Sequence, residues 1–446
     1  MSSKTRTSAA KEEARSVLVP KLRFPEFRGA RGWQFAPLHQ LATRAKQKNR
    51  DEKITRVLTN SAEFGVVDQR DFFDKDIATQ GNLESYYVVE LGSYVYNPRI
   101  SATAPVGPIS KNKIGTGVMS PLYTVFKFKD DSNDLYEHYF KTTGWHTYMR
   151  QASSTGARHD RMAISSEDFL AMPLPVSAPE EQQKIAECLS SVDELIAAQA
   201  RKVDALKTHK KGLMQQLFPR EGETQPRFRF PEFRKAGEWV RMSIQEMIDQ
   251  QFIAGHLDGN HGELYPKAEE FSKNKEGIPY ITANDFINGS VDFSRCKRLP
   301  VERARLFKKG VAKNGDILFA HNATVGPVAK LSTAEEFVIL STTATYFRCN
   351  AKDLSNDFLK SALSSPDFVA QYSRVMSQST RDQIPITTQR KLELQIPKPP
   401  EQQRIASCLS SLEAQMIAEA HKLEFLKTHK KGLMQQLFPS PEEVDA

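Results

Sequence analysis

Two loops rich in polar and basic side chains hold the residues of this sequence that are best suited to recognising a nucleic acid. Arginine can bridge O6 and N7 of guanine, asparagine or glutamine can pair with N6 and N7 of adenine, and hydroxyl groups can anchor phosphates. Exposed loops are also polar simply because water covers them, so the expectation of DNA contact applies to the loops as groups. The candidates are Ser154, Thr155, Arg158 and Arg161 in the first loop and His321, Asn322, Thr324, Thr380, Arg381 and Gln383 in or near the second.

Basic residues outside these loops are candidates for contacts to phosphate. Lys plus Arg number 62 against 54 acidic residues, giving a formal net charge of +8, which permits a polyanionic partner without proving one. A solvated surface explains such residues equally well. The candidates are Lys46, Lys48, Arg50, Arg99, Lys111 and Lys113.

Catalytic machinery is missing from the sequence. It contains no phosphate-binding G-x-x-x-x-G-K-(S/T) loop, no G-x-S-x-G elbow and no H-E-x-x-H motif. Asn97-Pro98-Arg99 is not the Asn-Pro-Pro-aromatic box of an adenine methyltransferase, and the four cysteines are not clustered as metal ligands. We therefore expect a chain that is not an enzyme and that holds neither a metal nor a cofactor. No apolar run approaches the ~20 residues of a membrane span and no signal peptide is recognisable, which indicates a cytoplasmic protein.

The sequence is a tandem duplication. Leu206–Pro219 and Leu426–Pro439 carry the same fourteen letters, L-K-T-H-K-K-G-L-M-Q-Q-L-F-P, and the similarity extends back to Pro179 and Pro399. The phrase R-F-P-E-F-R followed by a tryptophan also occurs twice, beginning at Arg23 and at Arg229. Each repeat is thus a globular region followed by a long block in which apolar residues recur at a regular spacing.

The repeated blocks have the heptad pattern of a coiled coil. From Ile185 and from Ile405, apolar residues recur at alternating steps of four and three, with polar breaks at the same two places in both copies. We call these positions the seam and expect the two helices to pack antiparallel. Several outward positions are also identical, which favours two docking sites for copies of one partner over a recent duplication. We call these positions the duplicated faces: Thr208, His209, Lys211, Gln215 and Gln216 in the first helix and Thr428, His429, Lys431, Gln435 and Gln436 in the second.

The globular regions differ far more in sequence but share landmarks. Leu91–Arg99 parallels Asn314–Asn322 as a turn and a buried strand that runs into a loop, and each region continues with a strand, a helical stretch and a polar loop. The helical stretches are predicted at Asp134–Arg150 and Ser355–Met376. We predict an α+β fold in six segments: a mobile tail at 1–20, recognition domains at 21–178 and 220–398, helices at 179–219 and 399–439, and a tail at 440–446.

The motifs identify a family resemblance that covers nearly the whole chain after the tail. The doubled R-F-P-E-F…W phrase, the E-Q-Q-(K/R)-I-A helix starts and the K-T-H-K-K-G-L-M-Q-Q-L-F-P helix ends resemble the specificity subunits of type I restriction-modification systems. This resemblance implies two target-recognition domains that read a bipartite, asymmetric site in double-stranded DNA, with a spacer set by the antiparallel coiled coil.

The resemblance also implies two modification subunits bound to the helices, and restriction and translocase subunits in the full complex. S-adenosylmethionine and the adenine methylation chemistry would belong to the modification subunits. A coiled-coil scaffold for proteins only, or an inactive remnant of a specificity subunit, stays open as an alternative.

Overall fold

A computed structural model describes residues 18–72, 83–155, 160–274, 276–377 and 382–439, with only the backbone described for Ser154 and Thr155. The chain forms two compact units. Unit 1 contains the described residues up to Ala198 and those from Leu423 onwards, and unit 2 is Gln199–Lys422. Each unit therefore combines one globular domain with part of each long helix.

Unit 1 builds its domain from short strands and helices. Its strands are β1 (Gln34–Pro37), β2 (Ala42–Arg44), β3 (Leu58–Ser61), β4 (Gly65–Asp68), β5 (Tyr87–Val89), β6 (Tyr94–Tyr96), β7 (Ile109–Lys111), β8 (Gly117–Met119), β9 (Thr124–Phe128), β10 (Ser154–Thr155), β11 (Met162–Ala163) and β12 (Pro173–Val176). Its helices are α1 (Leu38–Leu41), α2 (Gln69–Phe72), α3 (Asp134–Tyr139), α4 (His146–Ala152), α5 (Ser166–Leu170) and the first part of α6 (Pro179–Leu217).

Unit 2 repeats this plan with longer strands. Its strands are β13 (Val240–Ser243), β14 (Ile253–Asp258), β15 (Ile278–Ile281), β16 (Phe286–Ile287), β17 (Ser290–Val291), β18 (Lys297–Leu299), β19 (Val311–Ala312), β20 (Ile317–Asn322), β21 (Thr324–Lys330), β22 (Val338–Leu340), β23 (Ala344–Cys349) and β24 (Glu393–Ile396). Its helices are α7 (Ile244–Asp249), α8 (Val301–Ala304), α9 (Asn356–Ala362), α10 (Pro366–Ser377), α11 (Ile386–Gln389) and the first part of α12 (Pro399–Leu437).

The central sheets of the two units have equivalent strand orders. Unit 1 contains the antiparallel sheet β2-β9-β6-β7, and unit 2 contains the antiparallel run β14-β23-β20-β21, extended by β17 and β16. In each sheet the central strand, β6 in unit 1 and β20 in unit 2, is buried on both faces. In β6, Tyr94 and Tyr96 belong to one hydrophobic cluster and Val95 to another. In β20, Ile317 and Phe319 likewise belong to one cluster and Leu318 to another, because alternate side chains of a strand point to opposite faces.

Each predicted helical stretch is divided into two helices, so that part of the prediction was wrong. In unit 1, α3 ends at Tyr139 and α4 begins at His146, with the Thr142 hydroxyl donating a hydrogen bond to the Tyr139 carbonyl at 2.7 Å. In unit 2 the break falls before Pro366, which begins α10. Proline cannot continue a helix from the preceding turn, because it lacks an N–H and its ring collides with the carbonyl four residues earlier.

Within each unit the segments of α6 and α12 pack antiparallel, as predicted from the seam. In unit 1, Ile185 and Leu189 share a hydrophobic cluster with Met434 and Leu437, so the start of one helix meets the end of the other. In unit 2, Leu217 clusters with Ile405 and Leu409. The reversed order of the contacting residues establishes the direction.

The polar seam residues are paired. Lys430 binds Asp193 at 2.5 Å in unit 1, and the same repeat positions, Lys210 and Glu413, meet at 2.7 Å in unit 2. Burial lowers the pKa of Lys430, and Asp193 opposes this effect. The other polar break joins equivalent positions to each other, because the Gln199 amide donates to the Glu419 carboxylate at 2.7 Å. Since the buried polar groups are satisfied by matching partners, they help to specify the register of the helices.

The repeated R-F-P-E-F-R phrase and its tryptophan form a strap, residues 23–33 in unit 1 and 229–239 in unit 2. Arg23 makes a buried two-point ion pair with Glu181, both contacts at 2.7 Å, and Arg229 binds Glu401 in the same way at 2.8 and 2.7 Å. The hydrogen bonds that each arginine donates to its glutamate raise the pKa of the arginine. The strap thus ties the start of each domain to the start of the helix that follows it.

Each strap also packs on a helix end. Trp33 lies edge-on to Phe438, with ring centroids 6.4 Å apart, and Trp239 lies edge-on to Phe218 at 6.1 Å. In unit 2 this is the end of α6, the helix that precedes the domain. In unit 1 the helix is α12, the last helix of the chain.

Candidate nucleic-acid interface

A short backbone bridge brings the two polar segments of unit 1 together. The Met162 amide donates to the Pro98 carbonyl at 2.9 Å, and the Ile100 amide donates to the Asp160 carbonyl at 3.0 Å. These bonds set Arg99 opposite Arg161 in an antiparallel bridge. The segment leaving β6 is thereby joined to the end of the polar loop.

Unit 2 builds the same bridge at equivalent positions. The Ile384 amide donates to the His321 carbonyl at 2.8 Å, and the Ala323 amide donates to the Asp382 carbonyl at 3.0 Å. Asn322 therefore lies opposite Gln383. We call the two arrangements the loop bridges. Two domains that differ in most of their sequence use the same four main-chain groups to hold two polar side chains side by side.

The two loop bridges carry different chemistry. Arg99 and Arg161 flank the carboxylate of Asp160, at 3.7 and 3.9 Å, and the Arg99 side chain is 66% exposed. At these distances the guanidinium groups are held loosely and can turn towards another acceptor. In unit 2 the corresponding side chains are the amides of Asn322 and Gln383, and Asn322 donates to the Thr342 carbonyl at 3.4 Å. Guanidinium groups suit guanine, whereas amides suit adenine.

His321 is placed behind its loop bridge. The ring is 2% exposed, and Nδ1 donates to the Ile384 carbonyl at 3.1 Å. Burial lowers its pKa, so the ring is neutral at pH 7. A buried and hydrogen-bonded ring is better suited to supporting the loop bridge than to contacting a base. Thr324 is exposed at the start of β21, next to Ala323, whose φ of 63° is unusual for a residue with a side chain.

One glycine follows the central strand of each unit, Gly107 after β6 and Gly326 after β20. Gly107 and Gly326 have φ values of 80° and 111°, a region that side chains disfavour. A Cβ at Gly107 would lie 2.1 Å from the Asn97 carbonyl oxygen, and one at Gly326 would lie 2.6 Å from the Tyr372 hydroxyl. The glycines are thus required for the close packing of the segments behind the loop bridges.

The basic candidates outside the loops fall into two groups. Lys111 and Lys113 bind Asp134 and Glu137 of α3, both at 2.6 Å, so they already stabilise the domain. The exposed candidates lie between β2 and β3: Lys46, Lys48 and Arg50.

Some candidate DNA-contacting residues lie outside the described part of the chain, and the sequence analysis did not identify two aspartates of the loop bridges. Arg158, Thr380 and Arg381 lie outside the described residues, as do the side chains of Ser154 and Thr155. Asp160 and Asp382, whose carbonyls accept the second bond of each loop bridge, were not singled out from the sequence. Their common position, one residue before Arg161 and Gln383, was the available signal.

The duplicated faces are exposed in both copies. Thr208, His209, Lys211, Gln215 and Gln216 lie on the surface of α6, and the same holds for Thr428, His429, Lys431, Gln435 and Gln436 on α12. Other repeated residues, such as Met214, Leu217 and Phe218, are buried in the hydrophobic cluster of unit 2. Packing within the chain explains the repetition of the buried residues, but it does not explain the repetition of exposed ones.

Comparisons with known proteins agree with the sequence resemblance. The family described as "Type I restriction modification DNA specificity domain" matches residues 253–428. The chain is 26% identical over 334 residues to the type I restriction enzyme MjaVIII specificity subunit of Methanocaldococcus jannaschii, covering 73% of this chain and 70% of the relative. A putative type I restriction enzyme MjaX specificity subunit of the same organism is 26% identical over 170 residues, 38% of this chain and 36% of the relative.

Two solved structures share the fold over almost the whole chain. One is the S subunit of a type I restriction-modification system from M. genitalium, at 14% identity and TM-score 0.55, covering 95% of this chain and 100% of that one. The other comes from work on complex assembly and conformational transition of the type I R-M system, at 15% identity and TM-score 0.55, covering 92% and 98%.

The fold combines two globular domains, each with a polar loop bridge, and paired segments of two long helices. Residues 253–428 match the specificity-domain family, and the chain is similar in sequence and in fold to type I restriction-modification specificity subunits. The relatives are named as specificity subunits and not for a catalytic activity. No helix among the described residues is long and apolar enough to cross a membrane.

Proposed function

We propose that this chain reads a bipartite, asymmetric site in double-stranded DNA, one half-site with each domain, and carries two modification subunits on its duplicated faces. The observation that carries this proposal is the recurrence of the loop bridge in two divergent domains. A common backbone frame with different side chains is what two readers of unlike half-sites require.

The chemistry of the loop bridges supports reading at the base edges. Arg99 and Arg161 can each make two hydrogen bonds to a guanine, and Asn322 and Gln383 can do so with an adenine. Lys46, Lys48 and Arg50 would add contacts to phosphate that strengthen binding without selecting a sequence. We propose the side chains of Ser154, Thr155, Arg158, Thr324, Thr380 and Arg381 as further contacts from the same loops.

The long helices support a fixed separation of the half-sites. Two readers on one face of a duplex would meet successive major grooves about 34–36 Å apart. The length of the paired helices would then set the spacer between the half-sites. The duplicated faces would bind the two modification subunits, which would supply S-adenosylmethionine and the methyl transfer. In the full complex, restriction and translocase subunits would join them, in the cytoplasm.

The direct test is to map N6-methyladenine in DNA from cells that express this chain with its cognate modification subunit. We expect a split, asymmetric motif methylated on both strands, absent from cells that lack the chain. The matched control carries Arg99→Ala and Arg161→Ala, which should alter one half of the motif and leave the other intact. If the complex assembles but no motif depends on the chain, the DNA-reading proposal is wrong.

A further inference from the structure

The surroundings of the two duplicated faces differ, although the faces themselves are identical. His429 of α12 lies in unit 1, where Phe425 stacks on it with ring centroids 6.1 Å apart and planes inclined by 9°. Phe425 is 68% exposed, the most exposed of the large apolar side chains in the described residues. The equivalent of Phe425 beside His209 of α6 is Ala205.

A second exposed apolar side chain, Leu195, lies on the same side of the helix pair as His429. Leu195 of α6 is 55% exposed and directly precedes the seam residue Ile196. His429 likewise directly precedes a seam residue, Lys430, which occupies the same heptad position as Ile196. In an antiparallel pair, these preceding positions lie on the same side of both helices, because reversing one helix pairs like positions with like.

Leu195 and His429 also lie at the same height along the helix axes. The bond between Asp193 and Lys430 fixes the register in unit 1. Leu195 lies two residues beyond Asp193, and His429 lies one residue before Lys430, so they occupy the same turn of the pair.

Unit 2 has the same register but lacks the apolar pair. Its register is fixed by the bond between Glu413 and Lys210. The equivalent of Leu195 is Gln415, a polar side chain, and the equivalent of Phe425 is Ala205. The two faces therefore differ in how much apolar surface surrounds the same histidine.

Leu195 and Phe425 are both exposed, and the contacts of Asp193 and Glu413 with the globular domains lie on the other side of the helices. The opposite side carries Asp193 and Glu413, which face His138 and Lys360 of the respective domains at 3.8 and 2.6 Å. Leu195 and Phe425 are therefore not covered by the domain of unit 1. At the α12 face, Phe425 stacks on His429, and Leu195 occupies the same side and the same turn of the helix pair. Alanine and glutamine stand at the equivalent positions of the α6 face.

From this asymmetry we infer that the two modification subunits bind with unequal affinity, and that the first one occupies the α12 duplicated face, where Leu195 and Phe425 form an apolar extension. This inference rests on the proposed function. The partner must present the same surface to both faces, since their polar residues are identical. Only at the α12 face does that surface also bury a phenylalanine and a leucine, and buried aromatic anchors dominate the affinity of many interfaces.

The test is a titration of the full chain with its cognate modification subunit, followed by native mass spectrometry. For the wild type we expect two dissociation constants that differ beyond the statistical ratio for identical sites. The variant Leu195→Gln/Phe425→Ala copies the α6 surroundings onto the α12 face. It should weaken the first step by about 10- to 30-fold and bring the two constants together. The reciprocal variant Ala205→Phe/Gln415→Leu should instead tighten the second step.

Hydrogen exchange of the one-to-one complex identifies the occupied face. Peptides must include residues 201–205 or 421–425, because those from 206–219 and 426–439 are identical. We expect protection at 421–425 first.

Three results would overturn the inference. Two equal sites in the wild type would do so, as would unequal sites that neither variant changes. A wild-type chain that dimerises through Phe425 would show that a second copy covers the patch. Failure of the wild type to bind any modification subunit is a distinct result, and it would refute the scaffolding role in the proposed function as well.

Discussion

The two units have the same buried contacts between helices and domains, but they differ in the side chains that their loop bridges expose. The buried ion pairs Arg23–Glu181 and Arg229–Glu401 have nearly the same geometry, and so do the seam pairs of Lys430 and Lys210. The loop bridges keep their backbone bonds but exchange two arginines for two amides. The framework is thus separable from the chemistry that it presents, and each half of this comparison can be tested.

The largest expected effect concerns the strap pairs. Glu181→Ala leaves Arg23 buried without its carboxylate, and Glu401→Ala does the same to Arg229. We expect each change to lower the free energy of unfolding by about 3–5 kcal/mol, and the two losses to be similar. Urea denaturation of both variants measures this. A loss confined to one variant would mean that the two straps are equivalent in geometry but not in energy.

The next effect concerns base selection by the loop bridges. Arg161→Ala should relax discrimination at a guanine of one half-site by about 1–3 kcal/mol, and Gln383→Ala should relax it at an adenine of the other. Competition binding with DNA sites substituted one base at a time measures both changes. Lys48→Ala is the matched control, since loss of a phosphate contact should weaken binding to all sequences alike. Equal weakening by all three variants would contradict base reading by the loop bridges.

The smallest expected effect is a pH dependence of stability that distinguishes the contact between helix and domain in unit 1 from the one in unit 2. Asp193 meets His138 in unit 1, whereas Glu413 meets Lys360 in unit 2. Burial, together with Lys430 and Lys141, lowers the pKa of His138 to about 4 from its ordinary value of 6.5. Above pH 6.5 the histidine is neutral in both the folded and the unfolded chain, so its contribution to stability is fully present.

Between pH 6.5 and 4 the unfolded chain binds a proton at this site and the folded chain does not. Stability is therefore lost as the pH falls through this window, by about 1 kcal/mol between pH 7 and 5.5. His138→Gln should remove that part of the pH dependence, while Lys360→Gln should leave it unchanged. Unfolding at the two pH values checks this difference. The buried His256, His261 and His321, whose pKa values are also lowered, provide the same background in all variants.

The framework was far more predictable from the sequence than the interface. The heptad period predicted paired helices because a two-helix seam imposes a strict spacing, and the repeat order, in which each helix follows a globular domain, favoured antiparallel packing. The paired landmarks at Leu91–Arg99 and Asn314–Asn322 located β6 and β20. The breaks between α3 and α4 and between α9 and α10 were missed, although Gly144 and Pro366, which both disfavour the interior of a helix, were available signals.

Candidate site residues were harder to predict because loops have no period. The partnership of Arg99 with Arg161 depends on main-chain bonds between segments that are far apart in the sequence. Ion pairs such as Lys111 with Asp134 distinguish structural lysines from available ones, and no local pattern encodes them. The burial of His321 likewise follows from packing and not from its neighbours in the sequence.

The packing of Trp33 on Phe438 has a consequence for synthesis of the chain. The Leu22 amide also donates to the Gln436 carbonyl at 2.9 Å, so unit 1 is closed by residues that are synthesised after all of unit 2. Unit 2 finds its equivalent, Phe218, already made when its own strap emerges. Domains commonly fold in the order of their synthesis. Here the first domain must wait for the final turn of α12, and an unfinished chain would lack the contact that completes it.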